Sequence, residues 1–337
     1  MKILEMPGPE CMELCQIPEP ENRSGFAKIQ MEYCGICGSD LTAYTGKNPT
    51  VRYPIEGIGH EGIGVIREIG ENEQGFQVGD RVALEPYIPC MHCHMCAEER
   101  FNNCTDIRVA GVHTGGMMAE FVVFPIRQLH KVPEGLDPLD AALTEPLTIG
   151  LHAASRARVS AGEYCVITGA GPIGLLAALG VKSRGATPIL VDIVDDRLQF
   201  ARECGIEYTF NSAAGDVLAY LHEVTGTMPQ AMLECTGSPV ILAAMHDYVR
   251  HGGRIALVGW PKGPVTVNTV RCIQKELDLC PSRNSNKQFP TALALIASGQ
   301  IPTRKIITRL VELEETEAVM LDMMAHPGEY MKVVVKL

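Results

Sequence analysis

The stretch Gly169-Ala170-Gly171-Pro172-Ile173-Gly174 constrains this chain more than any other. It has the spacing G-x-G-x-x-G. It follows an apolar run, Tyr164–Thr168, that reads as a strand, and it opens a run, Ile173–Arg184, that reads as a helix ended by Gly185. A strand passes into a helix this tightly only where side chains are missing. Gly169 permits the turn, Gly171 lets the backbone approach a pyrophosphate, and Gly174 lets helix and strand pack closely. The helix start, with Pro172 and Ile173 in its first turn, offers free N–H groups and a positive dipole end to phosphates. Asp192 stands 18 residues past Gly174, after the next expected strand, Pro188–Val191. Its carboxylate suits a ribose 2′-hydroxyl and repels a 2′-phosphate, which favours NAD over NADP. Arg197, on the helix expected at Arg197–Cys204, is a further cofactor-binding candidate.

The rest of the chain divides around this motif. From about residue 155 strands and helices alternate: Tyr208–Phe210, Ala231–Glu234 and Arg254–Val258 continue the strands, with helices between, and predict a parallel, doubly wound sheet. Before residue 150 the pattern is short and β-like, with Phe26–Glu32, Gly62–Ile69, Arg81–Leu84 and Phe121–Phe124 as strand candidates, which suggests a barrel-like domain. The tail carries helices at Phe289–Ser298 and Leu313–Ala325 and a last strand at Lys332–Val335. A length of 337 residues fits two domains.

Cys90-x2-Cys93-x2-Cys96-x7-Cys104 places four thiols in 15 residues. Four thiolates suit a closed tetrahedral zinc site, which supports a loop and leaves no position open for chemistry. An iron–sulfur cluster is disfavoured, because the ferredoxin run needs three residues before its last Cys and a following Pro, and here seven intervene and Thr105 follows. His92 and His94 read as solvated loop residues. A second group is looser. Cys37, in Cys34-Gly35-Ile36-Cys37-Gly38-Ser39-Asp40, together with His60 of Gly59-His60-Glu61-Gly62 and Glu145 of Thr144-Glu145-Pro146, would supply sulfur, nitrogen and oxygen and keep a fourth position open, as a catalytic zinc requires. Spacing alone does not choose these three over ordinary structural residues.

Thirteen cysteines, an odd number, do not resemble a secreted disulfide framework. The N-terminus has no apolar signal core, and no run approaches 18 uncharged apolar residues. The expectation is a cytoplasmic protein with no membrane association. With 40 acidic against 29 basic residues, the net charge of −11 argues against a nucleic-acid partner.

Taken together, these motifs resemble the zinc-containing medium-chain dehydrogenases, in the branch holding sorbitol, threonine and galactonate-type dehydrogenases. The resemblance runs from about residue 20 to the end. Glu145 stands where Cys2His alcohol dehydrogenases have a second Cys, as in the polyol branch. The resemblance implies an α/β fold with a GroES-like β-rich catalytic domain, residues 1–150 and 285–337, interrupted by a Rossmann domain, residues 151–284. It implies two zinc ions per chain, one catalytic and one structural, and NAD. Cys37, His60 and Glu145 would hold the catalytic zinc, in a cleft between the domains where it meets the nicotinamide. Glu61 matches a residue that is ligand or outer-shell partner in relatives. Ser39 matches the hydroxyl that passes the substrate proton outward. Val258 and Gly259 match backbone that holds the carboxamide, and Arg283 matches an arginine near the substrate.

The implied activity is hydride transfer between a secondary alcohol of a polyol or sugar acid and NAD. Arg283, with Ser282 and Asn284, tilts the choice towards a sugar acid, since a guanidinium pairs with a carboxylate through two hydrogen bonds. Threonine or a small diol is the alternative substrate, and a non-catalytic NAD- and zinc-binding regulator is the alternative class. One departure stands out: relatives carry His where this chain has Thr42, with Tyr44 and Asp40 nearby, so the expected proton relay is shortened, rerouted through water or weaker. The resemblance also implies a homodimer or homotetramer through the Rossmann domain, with Val265–Cys280 as the edge contact.

Overall fold

The computed structural model describes residues 1–337 and folds as two compact units, Met1–Glu145 with Phe289–Leu337, and Pro146–Gln288. The chain crosses between them at Glu145/Pro146 and Gln288/Phe289, a few residues from the expected boundaries.

The first unit is built on strand Phe26–Gly35. One side of it pairs antiparallel along Glu61–Ile69, from Ala27↔Ile69 to Gly35↔Glu61. Its other side is shared: Phe121–Pro125 pairs with the first half and Lys332–Lys336 with the last three residues. Arg81–Leu84 and Leu129–Lys131 extend the sheet at one edge, and Ile307–Glu312 lies parallel to Lys332–Lys336 at the other. The C-terminal strand thus belongs to the β-rich unit. Alternation is imperfect along Glu61–Ile69 because its first half is buried on both faces. Ile29, Met31, Ile66, Val82, Leu84, Val333 and Val335 share one core. A small sheet, Cys11–Gln16, Lys2–Gly8 and Ile55–Glu56, and a two-stranded ladder, Tyr87–Ile88 with Arg108–Val109, complete the unit.

The second unit is a six-stranded sheet, parallel throughout, in the order Tyr208–Asn211, Thr187–Asp192, Tyr164–Thr168, Ala231–Glu234, Arg254–Leu257, Asp278–Pro281. This is the doubly wound dinucleotide order, with its switch point between the strands Tyr164–Thr168 and Ala231–Glu234. Val166, Ile189, Val191, Met232 and Ile255 fill one core of the unit. Two near-continuous apolar runs, Cys165-Val166-Ile167 and Ile189-Leu190-Val191, read as strands covered on both faces, and they are fully buried.

The expected helix Leu313–Ala325 is two pieces, a 3-10 turn Leu313–Glu315 and a helix Thr316–Ala325. Glu315 turns its carboxylate back to accept from the Glu312 N–H at 3.0 Å, which closes the short turn.

Candidate metal and cofactor sites

The glycine loop has the geometry its sequence implies. Gly169 has φ +92°, a conformation closed to most side chains. A Cβ on Gly174 would lie 1.7 Å from the Gly169 carbonyl oxygen, so only glycine fits at the helix start. A Cβ on Gly171 would meet nothing within 4 Å, so the backbone there is open to a ligand. Helix Pro172–Ser183 begins directly after it. Asp192 reaches back to this loop, its Oδ2 accepting from the Ala170 N–H at 2.5 Å. Arg197 lies half-buried on the following helix, Asp195–Glu203. Val258 and Gly259 leave strand Arg254–Leu257, and both donate their N–H to the Glu234 carbonyl at 2.9 Å. Arg283 is exposed just past the edge strand, between buried Ser282 and Asn284. These positions share the carboxyl ends of the parallel strands, where open α/β sheets bind their ligands.

The four-cysteine loop closes on itself. The Sγ atoms of Cys90, Cys93, Cys96 and Cys104 all lie within 4.8 Å of one another. Cys93 Sγ is 3.5 Å from that of Cys96 and 3.9 Å from that of Cys104. A tetrahedral zinc with bonds of about 2.3 Å sets its sulfurs about 3.8 Å apart, so the donor set fits the ion. Backbone N–H groups of Thr105 and Cys96 pull the Cys93 thiol down to about 5, towards the thiolate that a metal needs. His92 is exposed, with Nδ1 against the Cys90 carbonyl at 2.9 Å. All thirteen cysteines are free thiols.

The second group follows from strand register. Gly35 pairs with Glu61, so Cys37, two residues beyond Gly35, meets His60 at the start of the partner strand. Ligand atoms of Cys37, His60 and Glu61 lie within 4.8 Å of one another. A Cβ on Gly35 would stand 2.0 Å from Glu61 Oε2, so glycine makes room for this carboxylate. Asp40, 2% exposed, organises the cluster. Its Oδ2 accepts from the Cys37 N–H at 2.8 Å, closing the start of helix Gly38–Tyr44, and its Oδ1 is 3.6 Å from His60 Nδ1. Burial, the largest influence on His60, opposes its charge. Asp40 and Cys37 outweigh it and hold the imidazole pKa well above its usual value. A pocket that draws a proton onto a buried imidazole is short of positive charge. Together with soft sulfur, nitrogen and hard oxygen donors, this fits a divalent zinc ion.

Glu145 does not join that trio. It lies buried in the first turn of helix Thr144–Arg156, where its Oε1 accepts from the Tyr87 hydroxyl. Burial pushes its carboxyl up to about 7, with Glu61 adding to the rise and His60, Tyr87 and Lys332 opposing it. Glu61 instead pairs with Lys332, which also donates to the Ile36 carbonyl at 2.9 Å. Lys332 stays charged because the Glu61 and Cys37 charges overcome its burial. The roles of Asp40, Tyr87 and Lys332 escape sequence reasoning. Only Asp40 leaves a signal, as the acidic third residue of a helix start.

The proton-path candidates separate. Ser39 is half-buried. Thr42 is exposed and spends its hydroxyl on the Ser39 carbonyl at 2.9 Å. Tyr44 is buried and donates to Glu317 at 2.9 Å.

Residues 23–134 match the alcohol dehydrogenase GroES-like domain and residues 172–298 the zinc-binding dehydrogenase domain. An uncharacterized zinc-type alcohol dehydrogenase-like protein of Haemophilus influenzae is 39% identical over 99% of this chain and 98% of its own length. A sorbitol dehydrogenase of Halalkalibacterium halodurans is 35% identical over 88% of each chain. The solved structure of the Escherichia coli alcohol dehydrogenase rspB, complexed with NADH, superposes with TM-score 0.93 at 29% identity, covering 100% of this chain and 99% of that one. The chain belongs to the zinc-dependent medium-chain dehydrogenase family and is an oxidoreductase of the alcohol and polyol dehydrogenase type.

Proposed function

We propose that this enzyme transfers a hydride between a secondary alcohol of a polyol or sugar acid and NAD. The observation that carries the reading is the trio of half-buried Cys37 with buried His60 and Glu61, their ligand atoms within 4.8 Å of one another, and Glu145 on a nearby helix start. Relatives named sorbitol dehydrogenase and L-galactonate-5-dehydrogenase support the substrate class.

Cys37 and His60 would hold the catalytic zinc with one or both of Glu61 and Glu145, and Cys90, Cys93, Cys96 and Cys104 the structural one. When bound, the catalytic zinc supplies a Lewis acid for the substrate oxygen, and NAD supplies the hydride acceptor. The chain's own residues do the rest. Asp40 fixes Cys37 through its N–H and sets a negative charge 3.6 Å from His60 Nδ1. The backbone of Gly169–Gly174 receives the pyrophosphate, Asp192 the ribose, and Val258 and Gly259 the carboxamide. Arg197 adds a positive charge beside the cofactor. Arg283 would offer its guanidinium to a substrate carboxylate. Ser39 relays the alcohol proton: its oxygen accepts that proton as its own hydroxyl proton passes to water.

No helix is long and apolar enough to cross a membrane, and the thirteen free thiols favour a reducing, cytoplasmic setting. The free edge of strand Asp278–Pro281 favours self-association into a dimer or tetramer.

The test follows NADH absorbance with a panel of polyols, aldonic and uronic acids, threonine and small diols. The wild type is expected to turn over a polyol or sugar acid and to carry about two zinc ions per chain. Cys37→Ser is expected to keep about one. Losing several kcal/mol of Lewis-acid stabilisation would slow turnover about a thousandfold. Turnover on threonine or a diol alone would move the substrate class. Full zinc content and unchanged turnover in Cys37→Ser would sink the site.

A further inference from the structure

Tyr87 belongs to none of the motifs above, yet it links the four-cysteine loop to Glu145. It lies on the two-residue strand Tyr87–Ile88, paired antiparallel with Arg108–Val109 as Tyr87↔Val109 and Ile88↔Arg108. The four cysteines, 90 to 104, fall inside the loop that this ladder closes. The Pro86 carbonyl accepts from the Ala110 N–H at 3.1 Å, which extends the closure by one more bond. Gln128, 6% exposed, donates its side-chain Nε2 to the Tyr87 carbonyl at 2.6 Å and holds the strand from the body of the domain. The Tyr87 side chain, 6% exposed, ends on Glu145 Oε1.

We infer that Tyr87 is a positioning residue that sets the Glu145 carboxylate for the catalytic metal and couples that centre to the four-thiol lobe. The inference rests on the proposed zinc-site reading. A hydrogen bond to one oxygen restricts the rotation of a carboxylate about its last side-chain torsion. The phenol's bond to Oε1 narrows the orientations in which the carboxylate can address the cation, or a water on it. The phenol is itself mounted on a ladder whose two strands enter and leave the thiol lobe. A filled lobe keeps the two strands together, and so keeps the phenol in place. Outer-shell partners of metal ligands commonly carry about 10- to 100-fold in metal affinity.

The test uses the full-length enzyme with zinc retained in the thiol lobe and cobalt(II) at the Cys37–His60 site. Tyr87→Phe keeps ring and volume and removes only the hydroxyl. The expected result is a cobalt or zinc affinity at that site at least tenfold weaker, a changed cobalt visible spectrum, and an unchanged lobe content of one zinc. In Glu145→Gln the further change Tyr87→Phe is expected to cost less than threefold, because the partner it positions is gone. Gln128→Leu, which leaves the phenol and frees the strand, is expected to weaken the same site in the same direction. Wild-type affinity and spectrum in Tyr87→Phe, or equal losses from Tyr87→Phe with and without Glu145, would overturn the inference. Both readouts are independent of substrate. An enzyme that binds metal this way but reduces no NAD with any alcohol would sink the functional reading and leave Tyr87 standing.

Discussion

Asp192 uses one carboxylate twice. Oδ1 accepts from the N–H groups of Ile193 and Val194 at 2.7 and 3.0 Å, and Oδ2 from Ala170 in the glycine loop at 2.5 Å. It therefore shapes the loop, beside its proposed role as acceptor for the ribose. Asp192→Asn keeps the size and removes the charge that repels a 2′-phosphate. It is expected to lower the ratio of kcat/KM for NAD over NADP at least tenfold, mostly by gain with NADP. A ratio unchanged within twofold would remove Asp192 from cofactor selection. At this scale the sequence was read well where ligands are local. The four thiols of the lobe lie within 15 residues, and the structure needs only one loop to gather them. At the open site the candidates come from separate segments. The sequence offered Glu61 and Glu145 as carboxylates of the same chemistry. What separates them is Lys332 beside one and Tyr87 beside the other, 271 and 58 residues away. No local pattern carries that choice.

Helix Thr144–Arg156 shows how an element ties pH to stability. His152 lies on it, 8% exposed, and burial first, then the Arg156 charge, lowers its pKa from 6.5 to about 4. The folded chain therefore keeps this ring neutral where the unfolded chain already binds a proton. Between those two values the unfolded state holds more protons, so stability falls as pH falls from about 6.5 towards 4. The loss is on the order of 2–3 kcal/mol. His152→Gln is expected to flatten the denaturation midpoint over that window, as read by urea unfolding at stepped pH. A midpoint that still declines equally would place the acid sensitivity elsewhere. The same helix packs tightly against its neighbour, for a Cβ on Gly150 would stand 2.5 Å from Ala177 Cα. Elements with strong patterns were legible: Tyr164–Thr168, Arg81–Leu84 and Ala231–Glu234 have the expected bounds. The ladder Tyr87–Ile88 with Arg108–Val109 was not, because two residues carry no periodicity and the pairing depends on the loop between them.

For the whole molecule, the unfinished feature is the edge of the parallel sheet. Strand Asp278–Pro281 has no partner on its outer side. Leu279 on it is 38% exposed, and Val270 and Ile273 on the preceding helix are 61% and 78% exposed. An edge strand flanked by exposed apolar side chains invites pairing with a second copy, and a two-fold axis satisfies both edges at once. Light scattering on the wild type is expected to give a dimer or tetramer, and Ile273→Glu with Leu279→Glu to weaken the assembly at least tenfold while the folded spectrum is kept. A monomeric wild type at micromolar concentration would exclude this edge as an interface. By itself the sequence determined the order of elements, the glycine loop and its acid, and the thiol lobe, because each is written in residues a few positions apart. Only the tertiary structure brings Glu61 together with Cys37 and His60 beside Lys332, and sets Tyr87 against Glu145. Those contacts join residues far apart in the chain, and strand register and burial, rather than spacing, bring them together.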